Sequence, residues 1–270
     1  MDTLPALTAA VFLTSVLSGV FGMAGGMVLM LLLSVVLPVR EAMLVHGLAQ
    51  AVANGARFVL LRRHVAWAVV GRYLAAAALV LGVVSTVRLV PDRATVQLVL
   101  GGSALLGVCV PARSAPSVRS RHGAALCGAV VTLAQLTAGV SGPLLDVFFV
   151  RSDLDRRAIV GTKAFTQTCG HLLKLAYFGV VVGVPGAALP GAPSAFAIAA
   201  AAVAGTSLGR RLLERLDDRS FRRISLGLVV VLALVSCGRG VAELRASTDG
   251  GAGARAEVDE RRGIDYDGTR

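Results

Sequence analysis

Apolar residues run along this chain in long blocks, separated by short clusters of arginine, proline and glycine. Eight blocks stand out, at residues 5 to 37, 42 to 61, 66 to 90, 94 to 111, 123 to 150, 158 to 183, 194 to 213 and 221 to 238. Most approach or exceed the roughly 20 residues that a helix needs to cross about 30 Å of hydrocarbon. A membrane β-barrel would instead alternate apolar and polar positions in segments of about ten residues. Lipid offers no partner to a free backbone N–H or C=O, so the remaining class is a helical bundle. The pattern predicts an all-α, polytopic helical membrane protein with about eight transmembrane segments.

The first and fifth blocks, about 33 and 28 residues, are too long for one straight span; at roughly 1.5 Å per residue they would reach about 50 and 42 Å. Each carries a glycine interruption, GVFGMAGGM from Gly19 to Met27 and TAGVSGPLL from Thr137 to Leu145. Pro143 lacks a backbone donor and disfavours helix at Gly142. Both blocks are expected to break inside the membrane, although a close small-residue helix crossing would use the same glycines.

Shifting the chain against itself by 117 residues, Gly22 onto Gly139, also places Gly25 on Gly142 and Arg40 on Arg157. The following blocks then match in their polar positions: His46, Gln50, Asn54 and Arg57 fall on Lys163, Gln167, His171 and Lys174. At 100° per residue either set of four shares an arc of about 80°, one face of a helix. The chain thus reads as two related halves, residues 1–122 and 123–238, each with a glycine-broken first helix and one polar stripe. PARSAPSVRSRHG joins the halves, and GVPGAALPGAP is an uncharged Pro/Gly turn. Residues 239–270, charged and glycine-rich without an apolar period, are expected to be a disordered tail.

Composition supports the membrane reading, at 55% hydrophobic and 16% charged residues, with a mean hydropathy of +0.74. The first block has no preceding Lys or Arg and outruns a signal-peptide core, so it reads as a retained span. The net charge of +11 comes mostly from arginines that punctuate apolar blocks, where they anchor loops at lipid headgroups. Nucleic acid is therefore not the expected partner; the lipid bilayer is. Cys109, Cys127, Cys169 and Cys237 lie singly in apolar surroundings, without metal-ligand spacing, and read as packing residues. No HExxH, no nucleophile with an adjacent base and no cofactor motif is present, so an enzyme, a metal centre and a bound cofactor are not expected.

The only lysines, Lys163 and Lys174, both sit in the second stripe. An ionised side chain at mid-bilayer costs about 2.5 to more than 10 kcal/mol, so such residues face a cavity or a partner, unless they snorkel from a helix end. Asp146 is the one acid placed to neutralise them, by pairing with Lys163 or Lys174. A cationic cavity beside broken-helix ends suits a small anionic substrate. Candidate binding residues are Gly25, Gly26, His46, Gln50, Asn54 and Arg57 from the first half, with Ser141, Gly142, Lys163, Gln167, His171 and Lys174 from the second. Glycines let backbone approach the ligand, Gln50, Gln167, Asn54, Thr166 and Ser141 offer neutral donors, and His46 and His171 can change charge near neutral pH.

SGVFGMAGGMVLMLLLSVVLPVREA and GVSGPLLDVFFVRSDLDRRAIVGTKAFTQTCGHLLKLAYFG together resemble the TauE/SafE family, the sulfite-exporter and toluenesulfonate-uptake permeases. The likeness spans about residues 10 to 238. It implies a multi-pass plasma-membrane transporter of sulfite, sulfonates or related organic anions, driven by an ion gradient. Two departures concern the glycine motifs: Gly25-Gly26-Met27 stands where three glycines are common, and Ser141-Gly142-Pro143 where Gly-Gly-Pro is usual. The other reading of the polar stripes is an assembly or interaction protein, or an intramembrane enzyme using His171 as acid or base. Homo-oligomerisation is left open.

Topology depends on the breaks. With eight full spans, loops after odd-numbered blocks hold about 12 arginines against about 7 elsewhere, placing both termini outside. Re-entrant hairpins in blocks 1 and 5 would instead give each half an odd number of crossings, which inverts the second half relative to the first.

Overall fold

A computed structural model describes residues 4–183 and 191–266. Those residues form ten α-helices: α1 (Leu4–Phe21), α2 (Met23–Val36), α3 (Val39–Leu61), α4 (Trp67–Val87), α5 (Arg93–Cys109), α6 (Arg121–Ala138), α7 (Gly142–Phe149), α8 (Arg156–Ala176), α9 (Ala192–Leu213) and α10 (Asp218–Tyr266). Five described helical stretches, in α1, α3, α4, α9 and α10, are long and apolar enough to cross a membrane. The expected eight blocks map onto these helices, but fewer qualify as simple spans. α2 and α5 are short, and α6 and α8 spend their length on polar positions such as Gln135 and the 163–174 stripe. Most of the Pro/Gly turn, residues 184–190, lies outside the described residues.

Blocks 1 and 5 do break, and at both breaks the chain turns back on itself. Gly22 has φ 65° and Gly139 has φ 72°, the two positive-φ glycines among the described residues and the pair that the 117-residue shift superposes. α2 returns along α1, so that Gly25 lies against the Thr14 carbonyl and Ser18. α7 returns along α6, so that the Val118 N–H donates to the Phe148 carbonyl at 2.9 Å. Pro143 does not end a helix: it stands in the first turn of α7, where its missing N–H costs nothing. Each long block is therefore a helical hairpin with a buried tip.

α3 and α8 pack side by side with opposite directions. Phe58 meets Phe165 at 4.7 Å, and His46 meets His171 at 5.4 Å, so sequence number rises on one helix as it falls on the other. Around this pair α1 packs on α9, α6 on α4, and α5 on α10. The larger apolar core, including Met27, Met30, Leu33, Met43, Leu100, Leu136 and Tyr177, lies beside the hairpin tips and fixes them. Tyr177, in a π turn that ends α8, donates to the Leu89 carbonyl at 2.8 Å.

The polar connector is ordered by the end of the second hairpin. Arg151 donates to the Arg113 carbonyl at 3.0 Å, and Arg119 pairs with Asp153 at 3.0 Å. α10 remains helical to Tyr266, past Cys237 and into residues read from the sequence as a disordered tail. That stretch lacks an apolar stripe, and its Ala, Arg and Glu, whose intrinsic preference is helical, are interleaved with five glycines that oppose it, so local composition alone does not account for the helix.

Candidate functional site

The two tips meet between α3 and α8, and Gly142 of the second lies against Met23 of the first. A small cleft opens there, with room for about one ordered water in this conformation. It is lined by Ser18, Gly22, Met23 and Gly26 of the first hairpin and by Gln135, Val140, Ser141 and Gly142 of the second. His46, Gln50, Asn54 and Arg57 on α3 complete it, with Gln167 and His171 on α8.

Each tip aims a helix N-terminus at this space. α5, α6, α8 and α10 begin with Asp92, Ser120, Asp155 and Asp217, whose side-chain oxygens accept backbone N–H groups of the first turn. α2 and α7 begin at Gly22 and Ser141 without any side-chain cap, as do α3, α4 and α9 at Pro38, Ala66 and Gly191, which do not line the cleft. The first-turn N–H groups of α2 and α7 and the positive end of each helix dipole favour negative charge.

Donors from α3 add to these. The Gln50 amide nitrogen is buried and has no hydrogen-bond partner among the described residues, a state that costs about 1–3 kcal/mol unless a ligand or water fills it. Arg57 makes two long contacts, to the Ser18 carbonyl at 3.4 Å and to Asn54 Oδ1 at 3.5 Å. A guanidinium has five N–H donors, so most of its capacity is unspent. Its position near the C-terminal carbonyls of α1 also sets a cation against the negative end of that helix. Asn54 is held by donating to the Gln50 carbonyl at 2.9 Å.

Across the cleft, Gln135 ties the second tip to α8. Ser141 donates to Gln135 Oε1 at 2.7 Å, and the Gln135 amide nitrogen lies 2.7 Å from His171 Nδ1. With Nδ1 accepting, the neutral His171 ring carries its hydrogen on Nε2, where it is available to the cleft.

Of the residues read from the sequence, Gly26, His46, Gln50, Asn54, Arg57, Ser141, Gly142, Gln167 and His171 line the cleft. Gly25 does not; it packs hairpin 1 against itself. Lys163 stands off the cleft in an ion pair with Asp146. Lys174 is fully buried behind His46, so it does not snorkel to the surface. It donates to the Gly139 carbonyl at 3.0 Å and contacts His46 Nδ1 at 2.8 Å. Thr166 bonds carbonyls of its own helix. Ser18, Met23 and Gln135 line the site without having been singled out. Gln135 carried the one available signal, an amide inside an otherwise apolar block.

A helical membrane protein with paired hairpins and a donor-rich internal cleft has the build of a multi-pass transporter. The family model for the sulfite exporter TauE/SafE matches residues 7–236, and the chain belongs to that family. No curated protein and no solved structure matches it.

Proposed function

We propose that the chain is a secondary transporter of small anions such as sulfite, sulfonates or related organic anions, driven by an ion gradient across the plasma membrane. The observation that carries this reading is the convergence of two uncapped helix N-termini, the unpartnered Gln50 amide and the underused Arg57 guanidinium on one buried cleft. All of these groups donate or are positive, and among the described residues no carboxylate lines the space. A compact oxyanion offers several acceptor oxygens to such a set, and its entry requires the cleft to widen.

The proposal includes two halves related by inversion. What supports it is the way helices pair: α1 with α9 as α6 with α4, α2 with α10 as α7 with α5, and α3 and α5 with their own counterparts α8 and α10. Whether each hairpin counts as two passes or none, each half crosses an odd number of times. Opposed halves about a central site are the usual framework for alternating access.

The test is uptake of radiolabelled sulfite into proteoliposomes. Arg57→Met and Gln50→Leu should each lower flux about 10- to 100-fold, since a charge-assisted or otherwise unpaired hydrogen bond is worth about 1.5–3 kcal/mol and 1.4 kcal/mol is a factor of ten. Full flux in both variants would remove this cleft as the anion site.

A further inference from the structure

One wall of the cleft is a chain of hydrogen bonds that links the two hairpin tips. His46 Nε2 lies 3.0 Å from the Gly26 carbonyl, and His46 Nδ1 lies 2.8 Å from Lys174 Nζ. Nζ in turn donates to the Gly139 carbonyl at 3.0 Å. A carbonyl only accepts, so Nε2 must carry a hydrogen, and the uncharged ring then has a bare Nδ1 that accepts from the amine.

Counting hydrogens constrains Lys174. Among the described residues its nitrogen has two acceptors, His46 Nδ1 and the Gly139 carbonyl, and the side chain is 0% exposed. A neutral amine has two hydrogens and uses both. An ammonium has three, and the third would be buried without an acceptor.

Among the described residues the surroundings offer no counter-charge either. α3 presents His46, and α8 itself adds His171; the second tip presents carbonyls and Gln135, while Met30 and Met43 bring thioethers against Gly139. The nearest acid on α3, Glu41, is exposed, and Asp146 of α7 is taken by Lys163. Lys163 and Arg57 stand about 16 Å away along α8 and α3, eleven residues at helical rise. An added charge on the pair would be balanced only by an anion in the cleft, which His46 lines directly.

Building on the anion-transport reading above, we propose that Lys174 and His46 form a proton-binding pair, which gains one proton when an anion enters the cleft and gives it up when the anion leaves. Proton and anion then cross together. A monoanion would move without net charge, and the pair would report the cleft's occupancy to both tips through Gly26 and Gly139.

Methanesulfonate is a suitable probe because it stays ionised and carries no proton of its own near neutral pH. In wild-type proteoliposomes loaded with a pH-sensitive dye, its influx should acidify the lumen by about one proton per anion, equally with and without a clamped membrane voltage. Influx without proton movement would overturn the coupling. If neither methanesulfonate nor sulfite enters at all, the anion-transport reading itself fails, which is a separate outcome. Assignment to the pair rests on Lys174→Gln and Lys174→Arg, in which the proton-to-anion ratio of whatever flux remains should fall at least about tenfold. For a variant without flux the comparison moves to methanesulfonate affinity, which in the wild type should weaken up to about tenfold per pH unit on the alkaline side. An unchanged ratio or a retained slope in the variants would assign the proton elsewhere.

Discussion

Gly22 and Gly139 are the residues on which both hairpins turn, and they answer to different constraints. Gly22, at φ 65° and ψ −110°, has open space where a Cβ would go, so a side chain there meets only backbone strain. Gly139, at φ 72° and ψ −7°, lies in the left-handed region that asparagine tolerates, but a Cβ would come within 2.8 Å of the Met43 sulfur and 2.9 Å of the Met30 sulfur. Gly22→Ala should lower stability by about 1–3 kcal/mol through conformation alone, with no relief from Gly22→Asn, whose tolerated region lies at a different ψ. Gly139→Ala should pay a smaller backbone penalty plus displacement of both methionines and of the Lys174 contact, and should therefore lower anion flux as well as stability. Thermal unfolding in detergent, compared with flux, separates the two; a Gly139→Asn variant that regains most of the stability lost in Gly139→Ala, with flux kept, would show that crowding is irrelevant there. The special role of these two glycines was legible in the sequence because the internal register superposes them. That the chain reverses at them was not, since glycine permits a kink and a hairpin alike.

At the level of the helix, α8 illustrates how a polar element is held in place. Its stripe weakens its apolar face, and its start is secured by Asp155, whose carboxylate accepts the N–H groups of Arg157 at 2.8 Å and Ala158 at 3.0 Å. The Ala158 hydrogen bond, ahead of the Arg157 bond and nearby cations, holds this exposed carboxyl below its ordinary range. A depressed carboxylate contributes stability above its unfolded value of about 3.9 and gives it up as pH falls through the lower native value. Asp155→Asn should keep an acceptor and lose that pH dependence, whereas Asp155→Ala should lose the cap at neutral pH as well. Melting temperatures of the three proteins between about pH 3 and pH 7 check this; parallel curves would mean that the cap does not hold α8. The helical membrane class and both stripes could be read from hydropathy and helical period. That Asp146 pairs with one of the two lysines could be read as well; which lysine it takes, and the withdrawal of Lys174 behind His46, could not, because a helical wheel gives the face of a residue and not the distance of its neighbours across helices.

For the molecule as a whole, the relation between α3 and α8 favours the proposed inverted layout over eight full spans. Eight full spans would put four crossings in each half and start α3 and α8 on the same side. The structure instead sets these helices antiparallel, with His46 against His171 and Phe58 against Phe165. Arg40 and Arg157, one at the start of each helix, are therefore at opposite ends of the bundle. Under the proposed inverted layout each hairpin is not the single crossing that the loop-arginine count took it for, and the sides of the later loops change. The same antiparallel arrangement puts the donors of the first hairpin and those of the second on facing walls of one cleft, which a parallel repeat would not do. It leads to a direct measurement. In a chain whose four cysteines are replaced, Arg40→Cys and Arg157→Cys should react oppositely with an impermeant maleimide in sealed right-side-out vesicles. One should be labelled at once and the other only after permeabilisation. Labelling of both from the same side would require α3 and α8 to run parallel, and would dissolve the facing arrangement of the tips on which the anion cleft depends.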